Sequence, residues 1–106
     1  VDGCVYILSH IKEYGVIRKK GKVFLAVFGK NDKLIDLFTK SNLRFKTPEN
    51  ILEAIWKKYI FISAFATLTS YYDKPISYIY NNHKDEAKEL LNEIASVANA
   101  IGIDIF

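Results

Sequence analysis

Two adjacent lysines, Lys57 and Lys58, are the residues of this 106-residue chain best placed to do chemistry. Helical spacing separates their roles. Lys57 has Glu53 one turn before it, the favourable order for a helical ion pair. That is the pattern of a solvated face and predicts a structural lysine. Lys58 has Ala54 and Ile55 one turn before it and Phe61 and Ile62 one turn after. An ammonium among apolar neighbours has two ordinary explanations. It lifts its head to water along its apolar stem, or it sits in a cleft and hands a proton to a reacting oxygen. Periodicity alone leaves both readings open and favours the first.

The other candidates are weaker. His10 and His83 stand at no metal-ligand spacing with another His, Cys or carboxylate, so surface or capping roles are expected. Asp85, Glu86, Glu89 and Glu93 are interleaved with Lys84 and Lys88, the pattern of a solvated helical face laced with ion pairs. The basic cluster Arg18–Lys22 is the one candidate phosphate or nucleic-acid patch, and it reads better as a charged hairpin turn. Cys4 is the single cysteine, set in an apolar run, which predicts a buried, inert thiol and excludes an internal disulfide. There is no G-x-G-x-x-G, no Walker loop and no legible Ser-His-Asp set.

These residues need elements to hold them. Half of the chain is hydrophobic at 50%, enough for a core, and the net charge of +3 is too mild and scattered to indicate nucleic acid. No stretch has the length of a membrane span; Tyr59–Leu68 is about half of what is needed. A reducing cytoplasm fits the lone cysteine. Cys4–Leu8 and Lys22–Phe28 read as strands joined by a turn at Arg18–Lys22 around Gly21. Asp32–Lys40 has helical apolar spacing with an N-cap offered by Asn31-Asp32, and Leu43–Lys46 suits a short edge strand. Thr47-Pro48-Glu49 is helix-start chemistry and marks a domain boundary, giving a first part of residues 1–47 and a second of 48–106. The second part reads as all helix. One helix runs from Pro48 to about Tyr71 and turns apolar on every side after Tyr59, which predicts central burial. A short helix follows Pro75, and a last one runs from His83 to Ile101 with Gly102 as its stop. The absence of Met and the apolar final residues suggest a chain cut at both ends.

In this order the segments resemble ketopantoate reductase. Gly3-Cys4-Val5-Tyr6-Ile7, Gly15-Val16-Ile17 and Val27-Phe28-Gly29 are similar to the last strands of that family's nucleotide-binding domain. Asn50-Ile51-Leu52-Glu53-Ala54-Ile55-Trp56-Lys57-Lys58 resembles the opening of its helical domain, where an Asn-Ile pair, an aliphatic residue, Trp, one variable residue and Lys recur. Ala98-Asn99-Ala100-Ile101-Gly102-Ile103 resembles the close of a later helix. The resemblance implies an α+β chain: short antiparallel strands from the edge of a Rossmann-type domain, then an all-α helical domain. It implies an NADPH-dependent reductase that turns 2-dehydropantoate into pantoate, on the route to pantothenate and coenzyme A. Its site would lie between the domains. The lysine of the motif falls on Lys58 and would act as general acid, with Lys57 on the variable position. The Gly-rich loop would precede Val1, so these residues alone would neither bind NADPH nor turn over.

The chain also departs from the family. One and two turns after the lysine the family carries substrate-binding Asn residues, and here the positions hold Ile62 and Ala66. Ser63, Thr67 and Thr69 could supply hydroxyls, from other helical angles. The departures imply another 2-oxo acid as substrate. They also leave room for a second reading: a non-catalytic helical module for interaction or homodimerisation.

Overall fold

The computed structural model describes residues 1–105, and the chain divides into two compact units, Val1–Ile51 and Leu52–Phe106. The first unit is a three-stranded sheet with one helix. Strand β1 (Gly3–Glu13) pairs antiparallel with β2 (Val16–Phe28), and β2 pairs parallel with β3 (Phe45–Lys46). Both long strands run further than their apolar cores suggest. Ser9, His10 and Ile11 pair with Lys19, Arg18 and Ile17, so the basic cluster lies in the ladder and the turn falls at Tyr14-Gly15. Gly15 has φ +76°, as a tight turn requires, and Gly21 has φ +65°. The register shifts between Ile7 and Ser9, opposite Gly21, so this glycine hosts a bulge and not the turn.

Helix α1 (Asp32–Lys40) forms as its sequence predicts. Asn31 Oδ1 accepts from the Leu34 N–H at 3.1 Å, closing the first turn. The chain returns to place Phe45 beside β2. The rings of Phe28, Phe38 and Phe45 lie 5.2–6.0 Å apart, and Ala26, Val27 and Phe28 are the buried hydrophobic residues of this unit. Cys4 is half-buried, less enclosed than its apolar run suggests.

The second unit is helical. Helix α2 (Ile51–Tyr72) starts later than the Pro48 signal predicts. Pro48 biases Thr47 towards extended backbone, and Asn50 is the residue immediately before the helix. Helices α3 (Ile76–Asn82) and α4 (Lys84–Ala100) follow. Two clusters join them. Ile60 of α2 meets Ala95 and Ala98 of α4, with Trp56, Leu91 and Ile94 around them. Leu68 meets Ile79 and Ala87, with Phe65 and Leu90 around them. On α4 it is the small side chains Ala87, Ala95 and Ala98 that meet α2 and α3 in these clusters.

Helix α4 ends in a Schellman motif: Ile103 N–H reaches Ala98 O at 3.0 Å and Gly102 N–H reaches Asn99 O at 3.1 Å, with Gly102 at φ +90°. The apolar tail then folds back, Ile105 N–H donating to Asn99 Oδ1 at 3.0 Å while its side chain joins the first cluster. Contrary to the all-round apolar reading of α2, only Ile60, Ala64 and Leu68 of that helix are buried. The helix buries one stripe and leaves Tyr59, Phe61 and Ile62 largely exposed.

Candidate functional site

Helix α2 gives its two lysines different places. Lys57 is exposed, and its Nζ donates to Glu53 Oε1 at 2.7 Å, the ion pair the spacing predicts. Lys58 is half-buried, turned away from the Ile60–Ala64–Leu68 stripe. Ile62 and Ala66 follow on the same side at one-turn steps, and both are exposed. The hydroxyls of this helix are tied to its own backbone. Ser63 Oγ donates to Tyr59 O, Thr67 Oγ1 to Ser63 O and Thr69 Oγ1 to Phe65 O, each at 2.7 Å. Thr69 is the exception to the expected difference in angle. It stands about three turns beyond Lys58 and so shares its side.

Among the described residues of the helical unit, three of the surface grooves are well defined, and Lys58 lines none of these three. The largest, about 450 Å³, runs between Phe61 and Phe65 of α2 and Ile76 and Tyr80 of α3. The others measure about 320 Å³ beside Trp56 and about 280 Å³ beside Tyr71.

His10 lies on the surface, whereas His83 is half-buried and its side chain caps no helix. His10 is exposed in β1, opposite Arg18. His83 leads into α4, its ring stacked on Tyr72 with centroids 3.8 Å apart and its Nδ1 3.6 Å from Glu86 Oε2. Tyr72 Oη donates to the same Glu86 oxygen at 2.5 Å. That hydrogen bond to a carboxylate, with smaller contributions from burial and neighbouring charge, pushes the Tyr72 phenol up to about 12. Sequence reasoning missed this Tyr–Glu–His group, because Tyr72 and Glu86 come together only through the α2–α4 packing. The ion-pair ladder expected on α4 is thinner than its charges suggest. Lys84 lies over the Tyr80 ring at 5.2 Å, and among the described residues no salt bridge joins Lys84 or Lys88 to the acids of that helix. Among the described residues no group of His, Cys, Asp and Glu is arranged to hold a metal. No helix of the described residues is long and apolar enough to cross a membrane.

The family model described as the ketopantoate reductase PanE/ApbA C terminal matches residues 50–106. The chain belongs to the ketopantoate reductase family. The crystal structure of 2-dehydropantoate 2-reductase from Porphyromonas gingivalis W83 is similar to it at 36% identity and a TM-score of 0.82. That likeness covers 92% of this chain and 37% of the other, so this chain spans little more than a third of that protein's length. No curated protein matches. The sheet followed by helices thus matches the strand edge and helical C-terminal domain of ketopantoate reductase.

The residues present do not fit the dinucleotide that such a reductase uses. A pyrophosphate needs a glycine-rich turn between strand and helix N-terminus. The strand-to-helix turn here, from β2 to α1, has Gly29 alone, and Asp32 puts a carboxylate in the first turn of the helix, where it repels phosphate.

Proposed function

We propose that this chain is part of an NADPH-dependent reductase of 2-oxo acids, akin to the enzymes that make pantoate from 2-dehydropantoate on the route to pantothenate and coenzyme A. In this reading residues 1–47 complete a nucleotide-binding domain and residues 48–106 open a helical one. One observation carries it: within a stretch matched by the ketopantoate reductase family, Lys58 stands two residues after Trp56, half-buried and on a different side of α2 from the core stripe. Lys58 Nζ donates a hydrogen bond to the ketone oxygen of the substrate. It draws charge onto that oxygen and delivers a proton as the oxygen becomes a hydroxyl. The cofactor belongs to parts of the site other than these residues, which by themselves neither bind NADPH nor turn over.

The test follows NADPH oxidation by the full-length polypeptide that carries this chain, against 2-dehydropantoate and a small panel of 2-oxo acids. Lys58→Ala is expected to lower kcat/KM by about two orders of magnitude or more. Equal activity in the variant overturns the assignment.

A second reading has its own observation. Tyr71, Val97 and Ile101 are large apolar residues left exposed on the helical unit. A module for homodimerisation would cover such residues. An inactive wild type that sediments as a dimer favours it.

A further inference from the structure

We infer that Ile62, supported by Ala66, selects a 2-oxo acid whose tail is a branched hydrocarbon without a hydroxyl. The inference rests on the reductase reading and deepens it by naming the substrate class.

On the face that begins at Lys58, the next two one-turn steps carry hydrocarbon, Ile62 and Ala66. Ile62 lies one helical turn from Lys58, about 6 Å along the axis, and Ala66 lies one turn further. Ile62 is 48% exposed, and neither residue belongs to either core cluster. Neither core cluster of this unit therefore uses an apolar side chain at these two positions. The ammonium complements a carboxylate or a keto oxygen. The surface beside it complements methyl groups.

The polar groups nearby do not alter this. Ser63 and Thr67 lie off the face, and their hydroxyl protons are held by Tyr59 O and Ser63 O. Thr69 lies on the face, but its proton is held by Phe65 O, and it stands about 16 Å along the axis from Lys58. A substrate hydroxyl laid against Ile62 loses its water and gains no donor in exchange. The carboxylate end binds equally well with or without that hydroxyl, so discrimination falls on the tail.

Two acids differing only there make the test: 3,3-dimethyl-2-oxobutanoate and its 4-hydroxy derivative, 2-dehydropantoate. Calorimetric titration of the full-length polypeptide measures the binding of each, and NADPH oxidation gives the kcat/KM of each. The unhydroxylated acid is expected to be preferred about tenfold to a hundredfold, the range within which an apolar pocket rejects an added hydroxyl. Ile62→Asn supplies an amide on the same helical position and is expected to move the ratio at least about tenfold towards the hydroxylated acid, with circular dichroism unchanged. Equal or better binding of the 4-hydroxy acid by the wild type overturns the inference. So does a ratio that Ile62→Asn leaves unmoved, or a failure of both acids to bind at millimolar concentration. If Lys58→Ala keeps full turnover while the ratio still follows Ile62, the general-acid reading fails and the selectivity stands. If neither acid is reduced, the binding ratio alone decides.

Discussion

Lys57 and Lys58 show how much one residue of offset matters on a helix. The exposed Lys57 holds Glu53 at 2.7 Å, and such surface pairs contribute less than about 1 kcal/mol. Lys57→Ala is therefore expected to leave both the urea midpoint and turnover nearly unchanged, where Lys58→Ala removes turnover. Equal losses from the two would show that the helix needs positive charge in general and no particular proton donor. Tyr72 carries the clearest titration. Its phenol is raised from 10.0 to about 12, first by its hydrogen bond to Glu86. The folded value lies above the unfolded one, so the stabilisation is present below pH 10 and is lost as pH rises through about 12. Absorbance titration of tyrosinate is expected to find the Tyr72 phenol late, and Glu86→Gln should bring it back towards its ordinary value. A late phenol that persists in Glu86→Gln would mean that something other than this hydrogen bond holds the proton.

At the scale of elements, α1 was legible because a cap, a spacing and a charge all agree: Asn31 before it, Leu34, Ile35 and Phe38 within it, Lys40 at its end. The hairpin was harder. Gly15 and Gly21 both take positive φ, and a glycine among charges looks the same from sequence whether it turns the chain or bulges a strand. Cross-strand pairing decides between them, and pairing depends on both strands at once. Helix α2 misled for a related reason. Its residues after Tyr59 are apolar on all sides, yet Ala87, Ala95 and Ala98 cover one stripe of it. Ile79 locks the lower cluster and is fully buried at 0% exposure. Ile79→Ala is expected to cost about 2–5 kcal/mol in chemical denaturation. A loss below about 1 kcal/mol would show that the α2–α3–α4 contact is loose.

For the whole molecule, every residue of the two helical clusters lies within the unit Leu52–Phe106. Residues 50–106 made alone are expected to melt cooperatively by circular dichroism, with Trp56 fluorescence following the same curve. A gradual loss of helix, or two curves that separate, would show that this unit needs the residues before it. The sequence by itself determined the class of architecture and the pairing of Lys57 with Glu53. Those depend on composition, period and a short motif, which are local properties. Tertiary structure decided which face of α2 is buried, brought Tyr72 to Glu86, and turned the apolar end of the chain back onto Asn99 and the first cluster. These follow from how helices fit one another, and that fit depends on side chains far apart in the chain.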